Sequence, residues 1–74
     1  MERDDRRIAE KLRYMESEIR SEMENLREIL MLMGSSWQDP GEEFMAKELR
    51  GRIIALQEQA AALGHRASEL GETV

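Results

Sequence analysis

An all-α protein, built as an antiparallel two-helix hairpin, is predicted by three features of this sequence. Apolar residues recur at steps of three and four through both halves of the chain. The single Trp, the single Pro and the single Phe fall together in one short stretch, GSSWQDPGEEF, residues 34–44. Charged residues make up 36% of the chain and aromatic ones 4%, which is the profile of long helices and not of a sheet protein.

The first helix is expected over about residues 4–33. Ile8, Leu12, Met15, Ile19, Leu26, Ile29 and Met33 form one stripe at alternating three- and four-residue steps. Glu22 interrupts it, and Met23 beside it can cover the gap. Leu30 widens the stripe near its end. Glu16 and Arg20 stand at i,i+4 in the favourable order, worth a few tenths of a kcal/mol at most. Gly34 follows the last stripe residue, where a helix C-terminus favours a left-handed residue.

The hinge is expected at residues 34–39. Asp39 suits the N-cap of the second helix, Pro40 its first helical position, and Glu42 completes a capping box. The second helix is expected over about residues 40–70. Ala46, Leu49, Ile53, Leu56, Ala60, Leu63, Ala67 and Leu70 keep unbroken 3-4 spacing, a coiled-coil-like seam. Gly51 and Gly64 are weak points, each costing roughly 0.5–1 kcal/mol against Ala. Gly64 is where this helix can fray or bend, and Gly71 is a plausible stop. With about six residues between them, two such helices lie side by side and antiparallel. The 74 residues make one domain, residues 1–74.

A chain this short buries a small share of its surface, and without Cys it has no disulfide to staple it. Small unstapled scaffolds lean on association. The expected assembly is therefore a homo- or heterodimer that completes a four-helix bundle, the partner being a second copy or another helical protein.

Several function classes are disfavoured. The net charge of -5 argues against a nucleic-acid partner, which calls for a basic face. Arg3, Arg6 and Arg7 alternate with Glu2, Asp4 and Asp5, as in a solvated helix end. The same acidic balance disfavours a lipid-surface helix. The longest apolar run, residues 29–33, is too short to cross a bilayer. The N-terminal stretch MERDDRRIAEK does not read as a secretory leader, so synthesis in the cytoplasm is expected, with any export by a leaderless route. An enzyme is not expected, and neither is a cofactor or metal site. The one His, His65, has Glu69 at i,i+4, but the Glu-x-x-His pairing of di-iron bundles fails because position 62 is Ala. Gly34 and Gly41 flank a capping motif and not a phosphate loop. Arg13, Arg20, Arg27 and Arg50 fall off the stripes and do not converge.

Near the hinge the first helix is apolar all round, at Ile29, Leu30, Met31, Leu32 and Met33, and Trp37, Phe44 and Met45 follow. This apolar knot is either a lid that seals the loop end or a surface that meets another chain, and the two readings are compatible. Trp is favoured at binding hot spots, and Met gives a compliant contact surface. The expected partner-binding set is Trp37, Phe44, Met45, Met31 and Leu30, with Leu49 and Ile53 from the second stripe.

A helix, a loop centred on Trp37-Gln38-Asp39, a second helix, and the aromatic Phe44 about two turns on together resemble the WXG family, the small helical hairpins of bacterial type VII secretion. Asp39 stands where the family has Gly, so the resemblance is to a divergent member. The family's export signal is a Tyr, three residues, then an acidic residue after the second helix. Residues 65–69 have the spacing without the Tyr, and Tyr14 and Glu18 have the pattern inside the first helix. The resemblance thus implies a secretion partner or chaperone of a larger cargo, or a secreted dimer. The alternative is a structural or chaperone-like coiled-coil subunit of an unrelated assembly.

Overall fold

The computed structural model describes the backbone of residues 2–34 and 39–72, and the side chains of residues 4–34 and 39–71. Two helices account for these residues, α1 (Glu2–Met33) and α2 (Pro40–Glu72), and they pack against each other as a hairpin. Three contacts show that the packing is antiparallel. Glu22 pairs with Arg52, the Glu16 carboxylate lies over Gly64, and the Arg13 guanidinium lies near Gly71. Rising numbers on α1 meet rising numbers on α2 only when read backwards. The rod measures 56 × 15 × 13 Å.

The helix ends are set locally. Gly34 adopts a φ of 81°, and its N–H donates to the Met31 carbonyl at 3.1 Å, a left-handed stop that a side chain would strain. Asp39 caps α2: its Oδ1 accepts from the Gly41 N–H at 2.9 Å, and its carbonyl accepts from the Glu42 and Glu43 N–H groups. The return bond from Glu42 that would complete a capping box is not made among the described residues. The negative charges of Glu42 and Glu43 sit instead in the first turn, where the helix dipole favours them. Helix α2 runs unbroken through Gly51 and Gly64, and passes Gly71 to reach Glu72. Packing of Leu63, Ala67 and Leu70 against α1 outweighs the propensity deficit at those glycines.

The seam differs from the stripe that apolarity alone selects in α1. The residues that face α2 are Ala9, Leu12, Glu16, Ile19, Met23, Leu26, Leu30 and Met33, all buried or half-buried. Leu12, Ile19, Leu26 and Met33 are shared with the predicted stripe. Ile8, Met15 and Ile29 are not in the seam but beside it, exposed. Glu22 interrupts the row of Ile8, Met15 and Ile29 with a charge, whereas the row beside it supplies Met23 and Leu30, which pack with the α2 seam of Ala46, Ala60 and Ala67 between Leu and Ile. Met23 is buried, as its place beside Glu22 suggests. The α2 seam matches the predicted positions throughout, from Ala46 to Leu70.

Candidate functional site

A helix with two seam rows has a further row on either flank, and the two flanks of this hairpin differ in chemistry. On one flank α1 places Ile8, Met15, Glu22 and Ile29, each seven residues from the next and so vertically aligned. The matching row of α2 is Met45, Arg52, Gln59 and Arg66. Arg52 Nη2 lies 3.5 Å from Glu22 Oε2, which fixes the register. Seven residues toward the hinge, Ile29 then stands level with Met45. In the other direction Met15 stands level with Gln59 and Ile8 with Arg66. Ile8, Met15, Ile29 and Met45 are 43–54% exposed, half covered by the seam and open on the other side.

On the opposite flank α1 places Arg6, Arg13, Arg20 and Arg27, again at seven-residue intervals, against Arg50, Gln57, Gly64 and Gly71 of α2. All five arginines are exposed. One carboxylate reaches this flank from the seam itself. Glu16 Oε2 accepts from Arg20 Nε at 2.9 Å and lies 2.8 Å from Arg20 Nη2. A Cβ on Gly64 would stand 3.0 Å from Glu16 Oε1. The glycine therefore leaves the space that the Glu16 carboxylate fills. Neither Glu16 nor Gly64 features among the predicted site residues. Spacing alone could have found the first, which follows Leu12 by four and precedes Ile19 by three.

The predicted partner-binding residues divide among these surfaces. Ile53 is buried in the seam, while Leu49 and Leu30 are half-buried there. The hairpin itself uses these three, so they offer a second chain little area. Met45 lies on the apolar flank. Met31 and Phe44 are exposed on outer faces near the hinge, where Leu32 is also bare. Met31 and Leu32 are 80% and 81% exposed, so the apolar end of α1 is not sealed by the described part of the chain. Trp37 lies outside the described residues.

The remaining polar groups form surface pairs. His65 Nε2 lies 3.3 Å from Glu69 Oε1, and Arg66 Nη1 lies 3.8 Å from Glu69 Oε2. The Tyr14 hydroxyl donates to the Glu18 carboxylate on the outer face of α1. That bond, and then the negative charge itself, hold the phenol above its ordinary value of 10.0. No cluster of three or more His, Cys, Asp or Glu among the described residues is arranged to hold a metal. Among the described residues the concavities are shallow surface depressions, one of them bounded by Arg7, Glu10, Lys11, Tyr14 and Met15. No helix among the described residues is long and apolar enough to cross a membrane. Comparison with protein-family models, curated proteins and solved structures gives no match to this chain.

Proposed function

We propose that this protein is a non-enzymatic helix-binding module, a hairpin that completes a four-helix bundle with another helical pair. One observation carries the reading. Ile8, Met15 and Ile29 of one α1 row, interrupted by Glu22, stand half exposed with Met45 along one flank of a hairpin whose own core is thin. Much of that core is Ala, which buries little area per residue. A second layer of helices supplies the burial that the hairpin lacks.

Substituting this row tests the reading. Ile29→Glu should weaken association with helical partners, the same chain included, by roughly thirtyfold, while circular dichroism still reports a helical chain. Unchanged association would sink it.

The finer reading is a divergent WXG-type protein, serving as partner or chaperone of a larger secreted cargo or as a secreted dimer. The hairpin outline and the position of Trp37 between Gly34 and Asp39 support it. Co-expression with a larger helical chain encoded beside it should yield a complex that Trp37→Ala weakens by about tenfold or more, the scale of a Trp hot spot. An unaltered affinity would leave the Trp as a lid only.

A further inference from the structure

We infer that the occupant of the apolar flank is a second copy of this chain, turned about the long axis of the hairpin so that both hinges lie at the same end. This deepens the helix-binding reading and rests on it. The argument comes from the one charged layer in the apolar row. Glu22 and Arg52 face each other across the seam at 3.5 Å, and both are largely open to water on the flank side. Any partner that covers Ile29 and Met15 also covers this layer, since Glu22 lies between them. The partner must therefore present a negative group opposite Arg52 and a positive group opposite Glu22, or leave two charges desolvated.

A second copy turned about the long axis does this without adjustment. That rotation sets α1 against the α2 of the other copy, with all levels kept. Glu22 meets Arg52 of its mate and Arg52 meets Glu22, closing a square in which every neighbour has the opposite charge. In the adjoining layers the apolar residues of α1 meet the α2 row of the mate. Ile29 meets Met45, Met15 meets Gln59, and Ile8 meets the apolar stem of Arg66. All neighbouring helices are then antiparallel, so their dipoles oppose.

Arrangements with the hinges at opposite ends fail at the same layer. Centred on it, they set Glu22 against Glu22 and Arg52 against Arg52. Shifted by one level, they set Glu22 against Met15, so the Glu22–Arg52 pair loses water and gains no further partner. The layer thus selects orientation by penalising the alternatives.

Sedimentation equilibrium on the full chain, with cysteine cross-linking, tests this. The expected mass is twice 8.6 kDa. A monomer at every concentration up to the millimolar range would overturn the second-copy inference. The helix-binding reading would survive that result if a different helical chain bound and Ile29→Glu weakened the binding, and would fall with it otherwise. Orientation is read separately, which is straightforward because the native chain has no Cys. An Ile29→Cys chain mixed with a Met45→Cys chain should give a covalent heterodimer under mild oxidation. An Ile29→Cys chain mixed with a Met15→Cys chain or with an Ile8→Cys chain should not, and either of those links in place of the first would overturn the shared-end arrangement. Glu22→Arg should weaken the dimer on the order of tenfold or more, and adding Arg52→Glu should restore it. Glu22→Gln, which keeps shape and removes charge, guards against a folding defect and should give an intermediate loss. A swapped pair that fails to restore the dimer, in chains still helical by circular dichroism, would refute the charge layer.

Discussion

The two flanks of this hairpin border the same seam and are built by the same two helices, yet one carries Ile8, Met15, Ile29 and Met45 among its eight positions and the other carries five Arg and no large apolar residue. The arginine flank is exposed and charged, so covering it would cost desolvation. The apolar flank is half covered and gains from being covered further. The difference separates what holds the hairpin together from what the hairpin is for. A residue that the seam buries is accounted for by the fold. A residue in line with the seam, one row out, and apolar for three positions of four, is not.

The largest effect should come from the seam that both flanks share. Ala60 is fully buried, and Ala60→Glu would bury a charge with no partner. A loss of about 3 kcal/mol or more is expected, which for a domain this small means no cooperative thermal transition by circular dichroism. Retention of a transition would mean that the seam is looser than the packing suggests, and would weaken the contrast between seam and flank.

Next in size is the apolar flank. Ile29→Glu should cost the self-association about 2 kcal/mol, from lost burial and an added charge in a covered layer. At high dilution the same substitution should leave the helical signal nearly unchanged. Arg27→Ala, at the equivalent level of the other flank, should alter neither quantity by more than about 0.5 kcal/mol. Equal effects from the two would erase the distinction between the flanks.

Most of the fold was legible in the sequence. Asp39 and Pro40 at the start of α2, Gly34 at the end of α1, and the seam of α2 from Ala46 to Leu70 all stand where spacing and capping chemistry put them. The α1 seam was half legible. Ranking by apolarity chose the row of Ile8, Met15 and Ile29 over the row of Ala9, Glu16, Met23 and Leu30. Ala and Glu carry little hydrophobic weight, so Met23 and Leu30 did not by themselves mark the row as the seam. That displacement is what exposes the candidate site, because the large apolar residues set aside by the seam became the flank. Trp37, central to the resemblance, lies outside the described residues.

Gly64 gives a smaller effect and sharpens the arginine side of the comparison. Gly64→Ala would place a methyl group 3.0 Å from Glu16 Oε1. The carboxylate is the mobile end of a side chain with access to water, so it should swing away at little cost. The gain in helix propensity should then dominate, stabilising the chain by roughly 0.5–1 kcal/mol. A higher melting temperature is expected. A lower one would mean that the Glu16 and Arg20 pair over Gly64 matters to stability, and that the arginine flank is more than a solvated border.

The smallest effect belongs to Tyr14, which stands on the outer face of α1 and on neither flank. Its phenol is held above 10.0 by the hydrogen bond to Glu18 and by the charge of that carboxylate. The folded chain therefore keeps this proton to a higher pH than the unfolded chain does. The contribution to stability is present in full below the unfolded value and is lost as pH rises through the raised one. Because the ring is exposed, that contribution is slight, and the phenolate absorbance is the better observable. Glu18→Gln should bring the titration down toward 10.0. More usefully, the wild-type titration should be the same in dilute monomer and in concentrated dimer, since a partner on the apolar flank leaves the outer face of α1 open. A midpoint that moves with concentration would mean that the second chain covers Tyr14, and that the binding face is the outside of α1 and not the row of Ile8, Met15 and Ile29.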